Sequence, residues 1–197
     1  MRYAEFLERS HFSKLDLIAH SQGSLIEDPP SNDMGSLPAP PFLMFDRITQ
    51  ISRNGSTGTI IAEQDIAVDN WYFQCHFKND PVQPGCLGLD AVWQLIGFYC
   101  IANGAIGSGR ALGCGEVDFS GQIRPYDKKV RYEVTIRRYQ ALKSNGSAIA
   151  LGDAKVFVDD AQIYSIKSAR VGCFLDIGYR DFPNPDGKNA RGGVIQR

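Results

Sequence analysis

The chain has 197 residues, a formal net charge of −1, 43 % apolar residues and 22 % charged ones. This is enough for one good-sized domain with a substantial core, and the charge balance gives no sign of nucleic-acid binding. Five cysteines, at 75, 86, 100, 114 and 173, are odd in number and never spaced Cys-x-x-Cys. That pattern argues against a disulfide framework or a zinc knuckle, and for reduced thiols in a cytoplasmic protein.

The first ten residues, MRYAEFLERS, include acidic side chains and no apolar run, so no secretory signal is expected there. Residues 3–20 place Phe6, Leu7, Leu15, Leu17 and Ile18 among charges, which predicts one or two short amphipathic helices. Residues 27–41 hold five of the ten prolines and read as an extended connection. From residue 42 the pattern becomes strand-like, in FLMFDRITQIS and then GTIIAEQDIAV, with a turn near Asn54-Gly55. A long irregular loop follows over 69–85, a length that tends to mark function.

Residues 86–103 are apolar nearly all round, which predicts a helix buried in a core. A membrane span is the alternative, but Asp90 and Gln94 would then sit in hydrocarbon at a cost of about 3 kcal/mol or more for the carboxylate. Residues 111–123 read as a strand weakened by glycines. Val130, Tyr132, Val134 and Ile136 alternate with polar residues, as in a half-buried strand. Asn145-Gly146 and Asp159-Asp160 mark turns before two further strands, SAIALGDAKVFV and AQIYSIKSARVGCF. Residues 177–197 are polar and rich in Gly and Pro, and are expected to form a flexible tail after a single domain over 1–176. One long buried helix and about six strands joined by tight turns predict an α+β fold with an antiparallel sheet.

The chemistry-bearing residues cluster between 75 and 94. Pro84 and Gly85 stand where the buried helix must begin. The first N–H groups of that helix, at Gly85 and Cys86, have no helical partner and point outward at the positive end of the dipole. They suit a carbonyl oxygen that gains negative charge. Asp90 lies just over one turn further, among apolar neighbours, so burial should favour its protonated form. Gln94, four residues on, shares its face and can orient the carboxyl. His76 is the only histidine outside the N-terminal segment and stands in the loop before the helix, where a base is needed. The residues alone leave structural readings open: a satisfied loop histidine, a capping or buried polar aspartate, and Cys86 as a small hydrophobe or a thiol nucleophile beside His76. Three histidines without ligand spacing make a poor metal site.

The segments WYFQCHF (71–77) and DPVQPGCLGLDAVWQLIGFY (80–99) closely resemble the active-site motif of the bacterial 3-hydroxydecanoyl-acyl-carrier-protein dehydratase/isomerase family. RALGCGEVDFSGQI (110–123), KKVRY (128–132) and LPAPPFLMFDR (37–47) extend the resemblance. It implies a hot-dog fold, a long central helix wrapped by an antiparallel sheet, and a homodimer with shared sites. His76 is then the base at C2, and Asp90, from the other subunit, is the acid that protonates the leaving hydroxyl. Gly85, with Cys86, donates to the thioester carbonyl, and the Val82 carbonyl orients the imidazole. The substrate rides on acyl carrier protein, and no cofactor is implied. Relatives that only dehydrate carry Glu where this chain has Asp90, so the resemblance also implies trans-2 to cis-3 isomerisation of a chain of about ten carbons. An acyl thioesterase and a non-catalytic acyl-binding module are the competing functions for such a fold. Finally, residues 124–143 carry seven basic residues against two acidic ones. Arg137, Arg138 and Lys143 are candidates for steering an acidic carrier; an ordinary solvated strand face is the alternative.

Overall fold

A computed structural model describes residues 1–142 and 146–194. Two short helices open the chain, α1 (Tyr3–Glu8) and α2 (Lys14–Ser21), followed by the proline-rich connection. Strands β1 (Arg47–Asn54) and β2 (Thr57–Asp65) then form a hairpin. The loop after β2 contains one 3₁₀ turn, Trp71–Gln74, and leads into the long helix α3 (Gly85–Ala102). Five strands complete the domain: β3 (Ser108–Gly113), β4 (Glu116–Phe119), β5 (Lys129–Ala141), β6 (Ala148–Val158) and β7 (Ala161–Phe174). The seven strands form one antiparallel sheet in the order β1-β2-β5-β6-β7-β3, with β4 also on β7. This is the expected hot-dog arrangement, with α3 packed across the sheet.

Two expectations need correction. FLMFDR does not open a strand: β1 begins only at Arg47, because residues 42–44 serve the helix instead, as described below. The strand expected over 111–123 is two strands, β3 and β4, and both pair with β7. The break falls at Gly113, whose φ of +124° is open only to glycine, followed by Cys114-Gly115. The hairpin expected at Asn145-Gly146 falls partly outside the described residues. Asp159 and Asp160, with φ of +44° and +71°, do make the tight β6–β7 turn.

Helix α3 is long and apolar enough to cross a membrane, but here it is the core helix. Leu87, Ala91, Val92, Leu95, Ile96, Phe98, Tyr99 and Cys100 are all buried. The sheet meets them with Val130, Tyr132, Val134 and Ile136 of β5 and Ala150, Ala154 and Val156 of β6. At Gly88 the sheet comes so close that a Cβ would stand 2.7 Å from the Tyr164 ring. The N-terminal segment covers a further face of α3. Phe12 packs edge-on against Phe98 at 5.0 Å between centroids, Phe6 against Phe98 at 5.9 Å, and His20 against Phe98 at 5.2 Å. A reciprocal capping box between Ser13 and Asp16 fixes the start of α2, and Phe12 pairs its backbone with Ile48 of β1.

His20 is 4 % exposed, and its Nδ1 accepts from the Leu37 N–H at 3.4 Å. Burial lowers its pKa from 6.5 to about 4. A lowered pKa means the unfolded chain binds the proton more readily, so stability is complete above pH 6.5 and falls as the pH drops towards 4. Denaturant titrations across that range should lose at most about 3 kcal/mol on this account, and His20→Phe should flatten the slope. An unchanged slope in that variant would assign the acid sensitivity to other groups.

Candidate active site

Two arrangements surround the start of α3, one in the preceding loop and one on the helix. The loop is pinned from several sides. Trp71 donates its indole N–H to the Pro41 carbonyl at 3.2 Å. Tyr72 and Phe73 are buried beneath it. The Tyr72 hydroxyl donates to Asn70 Oδ1 at 3.1 Å and accepts from Gln64 Nε2 at 3.3 Å, and Gln64 Oε1 accepts from the Tyr132 hydroxyl at 3.2 Å. This buried polar chain ties the loop to β2 and β5, and every member has a partner.

His76 follows. Its N–H donates to the Tyr72 carbonyl at 3.0 Å, and its own carbonyl accepts from the Val82 N–H at 2.8 Å. The ring is fixed as well, with Nδ1 2.9 Å from the Val82 carbonyl oxygen. A carbonyl can only accept, so in the neutral ring Nδ1 carries the proton and Nε2 keeps its lone pair. A half-buried imidazole held this way is a base with a defined direction. The Asp80 carboxylate pairs with Arg124, which also donates to the Pro81 carbonyl at 3.1 Å. The Gln83 N–H donates to the Ile123 carbonyl at 3.0 Å. These contacts fasten the far side of the loop to the segment before β5.

Helix α3 then starts with Pro84 as its N-cap and no side-chain cap. Among the described residues the Gly85 and Cys86 N–H groups have no hydrogen-bond acceptor. The Phe119 ring lies directly over Gly85, where a Cβ would stand 3.1 Å from its nearest atom. Glycine therefore lets the ring close down on the helix terminus. The Cys86 side chain is exposed, which corrects the reading of it as a buried hydrophobe: at the first turn, α3 has not yet passed under the sheet. Among the described residues no hydrogen bond joins Cys86 to His76.

On the helix, Gln94 Nε2 donates to Asp90 Oδ2 at 2.6 Å. The same amide nitrogen donates to the Phe42 carbonyl at 2.9 Å, and its Oε1 accepts from the Met44 N–H at 3.2 Å. Residues 42–44 thus serve Gln94 rather than a strand partner. Burial raises the Asp90 pKa above the ordinary carboxylate value, and the Gln94 N–H draws it partly back. No cation pairs with Asp90 among the described residues. The carboxyl lines a cavity of about 220 Å³ with Phe42, Gln94, Gly97, Arg110 and Val171. His76 does not line it, and no hydrogen bond joins His76 to Asp90.

The basic segment divides on inspection. Arg137 pairs with Asp153 at 3.1 Å and donates to Ser168 at 2.8 Å. Arg138 has only Gln140 at 3.0 Å. Lys143 lies outside the described residues. The register places Arg138 opposite Leu151 and Leu151 opposite Arg170. Arg138 and Arg170, both exposed, thus share a cross-strand row on the outer face, and neither has a carboxylate partner among the described residues. Arg170 escaped sequence reading because it lies far along the chain and only strand register brings it alongside. Arg110 and Phe119 were missed for the same reason, since no local pattern signals which end of α3 they reach. No group of three His, Cys, Asp or Glu side chains converges as a metal site among the described residues.

Comparison with known proteins agrees with this architecture. Residues 37–167, well over half of the chain, match the FabA-like domain family. The fold is similar to the dehydratase heterocomplex ApeI:P from Xenorhabdus doucetiae, with 10 % identity, a TM-score of 0.50, and coverage of 74 % of this chain and 91 % of that one. It is also similar to the E. coli PaaI protein from a phenylacetic acid degradation operon, with 8 % identity, a TM-score of 0.48, and coverage of 83 % and 96 %. A third likeness is a hypothetical thioesterase with coenzyme A from Streptococcus pneumoniae, at 9 % identity, a TM-score of 0.45, and coverage of 64 % and 85 %. At 10 % identity the likeness to the heterocomplex concerns the fold alone, whereas the match over 37–167 spans the loop, the start of α3 and six of the seven strands in full: this chain belongs to the FabA-like domain family.

Proposed function

We propose that the protein dehydrates 3-hydroxyacyl thioesters of about ten carbons carried by acyl carrier protein, and isomerises the trans-2 product to the cis-3 form. The observation that carries this reading is the His76 ring, locked by the Val82 carbonyl so that Nε2 is the free base. Nε2 takes the C2 proton, and charge flows onto the thioester oxygen. The Gly85 and Cys86 N–H groups at the helix terminus are free to receive that oxygen. The electron pair then expels the C3 hydroxyl, which leaves as water with the proton of Asp90. Burial keeps that carboxyl protonated to higher pH than an ordinary aspartate, as an acid requires. In the isomerase step a proton leaves C4 and one is returned at C2, with no net change in composition.

That His76 neither lines the Asp90 cavity nor bonds to Asp90 among the described residues supports a homodimer in which each site takes His76 from one subunit and Asp90 from its partner. The assay is 3-hydroxydecanoyl thioester with product geometry read by NMR. Trans-2 and cis-3 enoyl products are expected; released thiol would mean a thioesterase, and binding without turnover would mean an acyl-binding module. His76→Ala and Asp90→Ala should each abolish turnover as homodimers. After subunit exchange about half the dimers are hybrids with one intact site, so activity should return to roughly a quarter of wild type. No return after verified exchange would place both residues in one subunit.

Two further outcomes follow from the same geometry. Since Asp90 acts protonated, kcat should fall as pH rises through its raised pKa. Gln94→Met removes the N–H that lowers that pKa, so the alkaline limb should move to higher pH while kcat falls about tenfold or more from lost orientation. An unmoved limb would detach it from Asp90. On the outer face, Arg138→Glu with Arg170→Glu should raise KM for carrier-borne substrate several-fold more than for a short N-acetylcysteamine thioester, because exposed charges act on encounter. Equal changes for both substrates would remove the docking role.

A further inference from the structure

His20 is a buried polar side chain in the last turn of α2, and the chemistry proposed above makes no use of it. Its ring is fixed from three sides. Phe6 stacks on it at 5.8 Å between centroids, Phe98 meets it edge-on at 5.2 Å, and the Leu37 N–H donates to Nδ1 at 3.4 Å. A ring nitrogen that accepts carries no proton, so the neutral ring holds its proton on Nε2. That Nε2–H has no acceptor among the described residues. A buried donor left unmatched is costly, and an acceptor that reaches it removes that cost.

The ring lines a cavity of about 260 Å³ where α2 gives way to the proline-rich connection. Leu25 and Ile26, both buried, form an apolar floor beside His20, and the exposed Asn32 and Ser36 stand at the mouth. No carboxylate, lysine or arginine lines it among the described residues. Burial also keeps the imidazole neutral, with its pKa lowered to about 4, so at neutral pH the cavity offers no charge to an ion. A dry cavity of about 150 Å³ takes benzene, so the larger volume here suits a molecule of about ten non-hydrogen atoms.

One buried donor in an uncharged, largely apolar floor is matched by one oxygen acceptor on an uncharged, apolar body. An anion of the same shape would lose its hydration and find no cation in return. We propose that this cavity binds a small neutral molecule, a ketone, ester or amide with a compact apolar body, whose oxygen accepts from His20 Nε2. The site stands independently of the dehydratase reading, because His20, Leu25 and Ile26 belong neither to the loop before α3 nor to α3 itself.

Three probes of nearly equal size test it on the full chain at neutral pH. Acetophenone offers a carbonyl oxygen, α-methylstyrene has a CH2 group in place of that oxygen, and benzoate adds a charge. Titrations are followed by NMR at the Leu25 and Ile26 methyl groups and at the His20 ring nitrogens. Acetophenone should shift all of these signals, and benzoate should bind at least about tenfold more weakly. His20→Phe keeps a ring against Phe98 but removes the donor. In that variant the affinity of acetophenone relative to α-methylstyrene should fall about fivefold, the effect of one neutral hydrogen bond. The Nε2 signal is read in the unmodified protein, so the test stands even where the variant does not fold. Unmoved Leu25, Ile26 and His20 signals would leave water as the occupant and overturn the proposal. Benzoate bound as tightly as acetophenone, or a relative affinity unchanged in His20→Phe, would overturn it as well.

Discussion

Helix α3 presents apolar side chains on almost every side, and water must be kept from nearly all of them. A single sheet face cannot do this unless it curves, so the strands wrap the helix and the N-terminal aromatics Phe6 and Phe12 cover Phe98. The enclosure has to stop somewhere, and it stops at the first turn of α3. There the N–H groups of Gly85 and Cys86 remain without partners, and Asp90 sits half-buried just inside. The same constraint explains why the Asp90 pKa is raised: its helix is committed to a dry interior, and its hydrogen-bond partner among the described residues is an amide rather than a cation. The accessible polar groups on this helix are therefore a consequence of incomplete burial at one end.

The loop before α3 solves a different problem. A long connection between β2 and α3, regular only in one 3₁₀ turn, must hold one imidazole still, at a large cost in chain entropy. They do so by borrowing order from the core. Tyr72 and Phe73 are buried, and the chain from Asn70 through Tyr72 and Gln64 to Tyr132 anchors the loop inside the sheet. The Val82 carbonyl then fixes the ring. Rigidity at His76 is thus inherited from strands β2 and β5.

Charge on the surface follows a third logic. Counting basic residues along 124–143 suggests a uniform positive patch, but most of these cations are already neutralised. Arg124, Lys129, Arg131 and Arg137 all have carboxylate partners within the chain. Among the described residues, Arg138 and Arg170 on the outer face and Arg110 at the edge have no carboxylate partner, and they come from three different strands. Long-range attraction of an acidic partner depends on this residual charge and not on the linear count.

Much of this protein was legible in its sequence. Apolar residues on every face of 86–103 predicted a buried helix, and the observed Gly85–Ala102 differs by one residue at each end. Period-two alternation placed β5 and the strands after it. Pro84-Gly85 marked the helix start, and the spacing of four between Asp90 and Gln94 gave their hydrogen bond. These are local properties, set by backbone geometry within a few residues, so a linear string can encode them. Tertiary structure alone decided what depends on residues distant in the chain. It sent residues 42–44 to Gln94 instead of a strand, split 111–123 at Gly113, paired Arg137 with Asp153, and aligned Arg138 with Arg170 through Leu151. It also brought Arg110 to the Asp90 cavity. No local pattern carries such information, because register and packing are fixed by which surfaces must exclude water together, and that is settled only when the whole sheet closes on the helix.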